Sequence, residues 1–228
     1  MKKTIAFMMI IVLLAITPVF AKSTIENYLS AGTGVNFKMT SYDNDSDIAV
    51  KTTITSVPIS ASDYLFLDRN SNLGLYLDLG ADIAITGKAT IDGTESDASD
   101  LGYDNGKYPT YFDFTVGAAY RMGLGKTLEL LMAAGFELST KTSNQYEIAG
   151  LATGTYTETY YGLGINSNVV LSLSDNFKLL AGAKMGLWFA NSNVLKANIL
   201  GVEKSFKDTA KNYFSFSIAP KVALTYIL

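Results

Sequence analysis

The chain has 228 residues, of which 48% are hydrophobic and 17% charged, with 14 Tyr, 12 Phe and 19 Gly but no Cys and no His, and it carries a net charge of −3. Without Cys there is no disulfide framework, thiolate metal site, Cys nucleophile or lipidated N-terminal Cys; without His there is no Ser/His triad and no imidazole-bound zinc. A nucleic-acid partner is excluded by the lack of a basic face, and no cofactor or metal is expected.

At the N-terminus Lys2 and Lys3 precede an apolar run from Ile5 to Ile16, Thr17 and Pro18 break it, and Val19-Phe20-Ala21 forms a cleavage site. This is the order of a secretory signal. Its twelve apolar residues are short of the roughly 20 that a spanning helix needs. The domains expected are a signal peptide over 1–21 and one domain over 22–228, whose charge, once Lys2 and Lys3 leave, is near −5.

Period-two alternation then repeats along the chain, the pattern of strands with one apolar and one polar face. It runs over Leu29 to Met39, less regularly over Ile48 to Leu67, then over Leu73 to Thr86, Thr110 to Met122, Leu128 to Thr140, Tyr160 to Leu173, Phe177 to Phe189 and Tyr213 to Leu228, eight strands in all. Within Leu73 to Thr86 the odd positions read Leu73, Leu75, Leu77, Leu79, Ala81, Ile83 and Ile85, and Asp78, Gly80 and Asp82 share the other face. In the second strand the parity changes, which predicts a bulge near Thr55 and Ser56; Pro58 and Pro220 each predict a bulge or a broken ladder. Asp63 is left facing the apolar side if the next turn centres on Asn70.

Alternation alone does not separate a sandwich from a membrane barrel. Three features do. Long polar connections (41–47, 87–109, 141–157 and 191–211) alternate with tight turns at Gly123-Leu124-Gly125-Lys126 and Ser174-Asp175-Asn176. Apolar-face aromatics gather at strand ends: Phe37, Phe112, Phe114, Phe136, Tyr161, Phe189, Phe214 and Phe216 toward the long connections, and Tyr120, Phe177 and Tyr226 toward the turns. These suit two interfacial girdles. Ten glycines (32, 34, 74, 80, 117, 135, 162, 164, 182 and 186) lie on the polar parity with Tyr76, Tyr111, Tyr160, Trp188 and Tyr213. A narrow lumen needs this mixture of small and large residues. The fold expected is all-β: an eight-stranded antiparallel up-and-down transmembrane β-barrel in the bacterial outer membrane, contacting its lipid.

The candidate site is the lumen. Lys38, Asp78, Asp82, Asp113, Arg121, Glu129, Glu137, Lys178, Lys184 and Lys221 all have inward parity, five cations and five anions. A turn centred on Gly125 opposes Arg121 with Glu129 and Asp113 with Glu137; one centred on Asp175 opposes Gly162 with Trp188 and Tyr161 with Phe189. Near the turns Leu131, Val170, Leu180 and Ile227 make an apolar constriction, with Trp188 as a second narrowing. Gly125-Lys126-Thr127 lacks the upstream Gly and the following helix of a phosphate-binding loop, and Asp43 to Asp47 lacks the turn Gly and bidentate Glu of a calcium loop. The connection 87–109 carries a charge of −3 and 191–211 a charge of +2, a patterned surface for a partner.

The signal, the eight alternating segments and the terminal Val222, Leu224, Tyr226, Leu228 ladder resemble small outer-membrane barrels of the OmpA, OmpX and OmpW type, and more narrowly barrel proteins of spirochaetes. Leu228 stands where the family's assembly signal usually has Phe. The resemblance implies two functions. An OmpX-like barrel is filled, non-enzymatic and works through surface loops on a host or envelope protein, which the lumen charges favour. An OmpW-like barrel passes small hydrophobic solutes.

Overall fold

The computed structural model describes residues 25–43, 48–67, 70–97, 110–148, 152–199 and 202–228, with backbone alone at 142–148, 152–153, 199 and 208. The expected signal over 1–21 and most of the Asp43 to Asp47 segment lie outside the described residues. Strands β1 (Glu26–Gly34), β2 (Asn36–Asp43), β3 (Ala49–Phe66), β4 (Leu73–Ile91) and β5 (Thr94–Asp97) are followed by β6 (Thr110–Gly123), β7 (Leu128–Ile148) and β8 (Ala152–Ser172). The last three are β9 (Phe177–Ile199), β10 (Val202–Asp208) and β11 (Lys211–Ile227).

Eight staves form the wall, because β1 and β2 are one stave interrupted at Val35, and β5 and β10 pair only with the outer ends of β4 and β9. Pairing runs antiparallel from β1/β2 through β3, β4, β6, β7, β8 and β9 to β11, which pairs back onto β1 and β2. The sheet thus closes on itself, and closure removes the open edges that a flat sheet would leave.

Both prolines explain the gap at Val35. On one side Gly34 and Val35 face Pro58 and Val57, on the other Pro220 and Lys221, and the first-stave ladder is broken there on both sides. Neither proline can donate. Val35 N still donates to Pro220 O at 3.2 Å, and Thr33 Oγ1 donates to Pro58 O at 2.8 Å.

The expected bulge in β3 falls instead in β4. Thr55 pairs with Thr86 but Ser56 with Ala84, so Ile85 is the extra residue. β3 keeps one parity throughout, with Val50, Ile54, Ser56, Ser62, Tyr64 and Phe66 buried. The apolar residues that suggested a switch, Val50 and Ile54, simply face the lumen, while β4 changes parity so that Ala84 and then Gly87 and Ala89 turn inward.

The turn after β6 centres one residue later than expected: Gly123 pairs with Glu129, and Leu124 N donates to Leu128 O at 2.9 Å. The shift moves each opposition by two positions, so Arg121 faces Leu131, Asp113 faces Ser139 and Glu137 faces Thr115. Parity survives this change; partners do not. In the next hairpin Gly162 faces Trp188 as expected, but Phe189 is bulged out and Tyr161 faces Ala190.

The long connections are largely strand among the described residues. An Asp92-Gly93 turn with φ of 47° and 78° closes the β4–β5 hairpin, the left-handed pair of a type I′ turn. β8 and β9 are 21 and 23 residues long, about twice the 9–11 needed to cross a membrane. Along β8 the outward side chains read Thr155, Thr157, Thr159, then Tyr161, Leu163 and Ile165, which sets the membrane boundary near Tyr161. Above it, β7 from Thr142 pairs only with β8, and β9 exchanges β11 for β10 after Trp188, so β7–β8–β9–β10 stands clear as a four-stranded blade.

Candidate functional site: a filled, charged lumen

The outer wall is apolar, with Leu75, Val222, Leu224 and Leu163 at least half exposed. Girdle rings meet across strands: Phe136 and Tyr161 at 6.4 Å, Phe177 and Tyr226 at 5.1 Å. Asp63 is the exception: it has the outer parity, between Leu29 and Leu77, yet it is buried, with Oδ1 lacking a hydrogen-bond partner among the described residues.

All ten charged lumen candidates project inward, eight of them as residues buried to nine-tenths or more. They form three layers. Near the short turns, Lys178 Nζ meets Glu129 Oε1 at 2.5 Å and Arg121 pairs with Glu26; the Tyr28 hydroxyl donates to Glu129 and accepts from Lys178 and Arg121 at 3.0 to 3.2 Å. Arg121 therefore pairs with Glu26, not with Glu129, as the two-position register shift requires. Phe66, Leu131, Val170 and Leu180 are fully buried beside this layer, with Ile227 packed against them. That cluster brings together the four residues read as an apolar constriction.

In the middle layer Lys184 Nζ bridges Asp78 Oδ2 at 2.7 Å and Glu137 Oε1 at 2.9 Å. Asn36 donates to Asp82, Asn166 to the Tyr76 hydroxyl at 2.6 Å and Asn168 to the Tyr64 hydroxyl at 2.9 Å. Lys221, Asp82, Asp113 and Glu137 surround a cavity of about 30 Å³, room for a water-sized molecule.

Toward the blade, Lys38 Nζ lies over three rings, Tyr111 at 4.1 Å, Trp188 at 4.4 Å and Tyr160 at 4.7 Å. A desolvated ammonium is attracted to ring faces. Tyr213 stacks on Tyr160 at 5.3 Å, and Ile54 packs in the same cluster. Trp188 belongs to this collar, well above the Leu131 and Leu180 cluster; it lies over Gly186, where a Cβ would stand 2.3 Å from its Cη2.

Sequence reading missed Glu26, Lys141 and Glu158, although Lys141 and Glu158 form a 2.7 Å ion pair and Glu26 holds Arg121. Each continues the inward parity of its strand by one to three residues into a segment read as loop or lead-in. With them the lumen has six cations and seven anions, still close to balance. Tyr28, Asn166 and Asn168 were legible on the same parity, but only their cross-barrel partners show their role.

A closed sheet with an apolar belt, two aromatic girdles and charged side chains on its inner face defines a transmembrane β-barrel of the bacterial outer membrane. No family model and no curated protein matches the sequence. Among solved structures, the fold is similar to a major outer membrane protein from Thermus thermophilus, with a TM-score of 0.54, 13% identity, and coverage of 90% of this chain and 99% of that one. It is also similar to Neisserial surface protein A (TM-score 0.46, 12% identity, 88% of this chain and 96% of that one). A third is Ail, the attachment invasion locus protein of Yersinia pestis (TM-score 0.42, 9% identity, 89% and 98%).

Proposed function

We propose that this chain, exported by a signal peptide over 1–21, is a non-enzymatic barrel of the OmpX type whose lumen is a structural plug and whose β7–β10 blade contacts a partner outside the membrane. The observation that carries the reading is the packing of buried side chains across the lumen among the described residues. Among the described residues, the cavity within the Lys184 layer, between the aromatic collar and the Leu131, Val170, Leu180 cluster, measures about 30 Å³, too small for a solute such as an OmpW-like barrel passes. Binding energy must then be found at the surface. There the blade offers exposed Val202 and Phe206 between lysines.

Two measurements test it. The refolded chain in a planar bilayer is expected to give no stepwise conductance; steady single-channel currents reject the plug. Cells displaying the barrel should attach to their target less when residues 196–207 are replaced by a two-residue turn, and unchanged attachment rejects the blade.

A further inference from the structure

Strand β10 pairs with β9 on one side only and, among the described residues, leaves its other edge unpaired. Its residues 202–207 are all exposed. An open edge is a template for another strand. The sequence of this edge, Val202-Glu203-Lys204-Ser205-Phe206-Lys207-Asp208, is complementary to itself when run antiparallel about Ser205. Glu203 then faces Lys207 of the second strand and Lys207 faces its Glu203, both on the face that carries Ser205. On the other face Lys204 and Phe206 oppose one another twice, an ammonium beside a ring. Within the chain β9 sets Asn198 opposite Glu203 and Val194 opposite Lys207. Among the described side chains neither Glu203 nor Lys207 forms an ion pair.

We infer that the partner of the blade is a second copy of this chain, joined through an antiparallel β10–β10 ladder centred on Ser205, and that the copy sits in an apposed membrane. The inference rests on the proposed surface role of the blade. Its geometry follows from direction. In one membrane every β10 runs from the tip back toward the barrel, and strands tilted about 35–45° can cross at no more than roughly 70–90°. An antiparallel pair needs the second strand to run the other way, as it does when two outer surfaces face each other across a twofold axis. Each contact is small, and many copies on each surface would act together.

The chain has no Cys, so Ser205→Cys introduces a sole thiol that can be trapped by a disulfide. In the proposed register the two 205 positions are direct partners, about 4.5–5.5 Å apart at Cα and within disulfide reach. Positions 202 of the two copies are roughly 20 Å apart. The probe is the full barrel in phosphatidylcholine nanodiscs, one barrel per disc, mixed under mild oxidation. Expected is a cross-linked dimer with Ser205→Cys forming at least about tenfold faster than with Val202→Cys. Adding Lys207→Glu should slow it about tenfold by setting like charges opposite one another twice, and Glu203→Lys with Lys207→Glu should restore it. Equal rates for Cys at 205 and 202, or no recovery in the charge-swapped pair, overturn the register. Absence of any dimer overturns self-recognition, whereas loss of target attachment on removing 196–207 reads the blade's surface role separately.

Discussion

Lys184 is the cation between two carboxylates that have almost no access to solvent, Asp78 at 0% and Glu137 at 1% exposure. Its replacement by Met keeps most of the side-chain volume and removes the charge, so the loss is electrostatic and not a cavity. Asp78 Oδ1 and Glu137 Oε2 already lack hydrogen-bond partners among the described residues; without Lys184 their other oxygens lose contacts of 2.7 and 2.9 Å as well. Breaking a buried ion pair by deleting one member costs about 3–5 kcal/mol, because the remaining charge stays desolvated. The unfolding equilibrium should therefore move by roughly two to nearly four orders of magnitude. The only Trp of the chain, Trp188, sits in the collar above this layer and reports unfolding by its fluorescence in a urea titration of the micelle-bound barrel. Neutralising the acids, in the triple variant Lys184→Met, Asp78→Asn, Glu137→Gln, should recover most of the loss. A single variant within about 1 kcal/mol of the parent, or a triple variant no more stable than the single one, would refute the claim that this layer is held by mutual charge compensation.

Further outcomes use the same titration. Gly162→Ala places a Cβ 1.9 Å from the Leu187 carbonyl oxygen and 2.7 Å from Trp188 Cα; backbone cannot yield there, so a loss of about 1–3 kcal/mol is expected. Gly125→Ala, in a turn with nothing within 4 Å, should be neutral to within about 0.5 kcal/mol. Asp63→Leu removes a buried carboxylate, whose Oδ1 has no hydrogen-bond partner among the described residues, from between Leu29 and Leu77 and is expected to leave stability unchanged or raise it by about 1–2 kcal/mol; a clear loss would mean that the Asp63 carboxylate has a partner there. Leu180→Ala removes a side chain from the buried Leu131, Val170 and Leu180 cluster and should cost about 2–5 kcal/mol; if the lumen is plugged as proposed, no conductance appears with it.

Which side chains face lipid and which face the lumen was legible in the order of residues alone. Strand geometry reverses the side-chain direction at every step, so Leu75 and Asp78 are sorted by counting, without reference to any other strand. The same local rule marks the girdles, since Tyr161 and Phe177 stand where apolar runs end, and it places Lys184 inside. It cannot choose partners. The match of Arg121 to Glu129 assumes where one turn centres; with that centre one residue later Arg121 pairs with Glu26 on the first stave, three strands away along the sheet and within reach only across the lumen. Counting also fails at Ile85 and Phe189, where the extra residue of a bulge is decided by the fit between two strands and not by either sequence. The blade was hidden for a related reason. Thr, Asn and Lys beyond the membrane carry no apolar alternation, yet there the ladder itself continues, because backbone hydrogen bonds passed along from β7 and β8 extend β9 and β10 wherever a neighbouring strand is already in place.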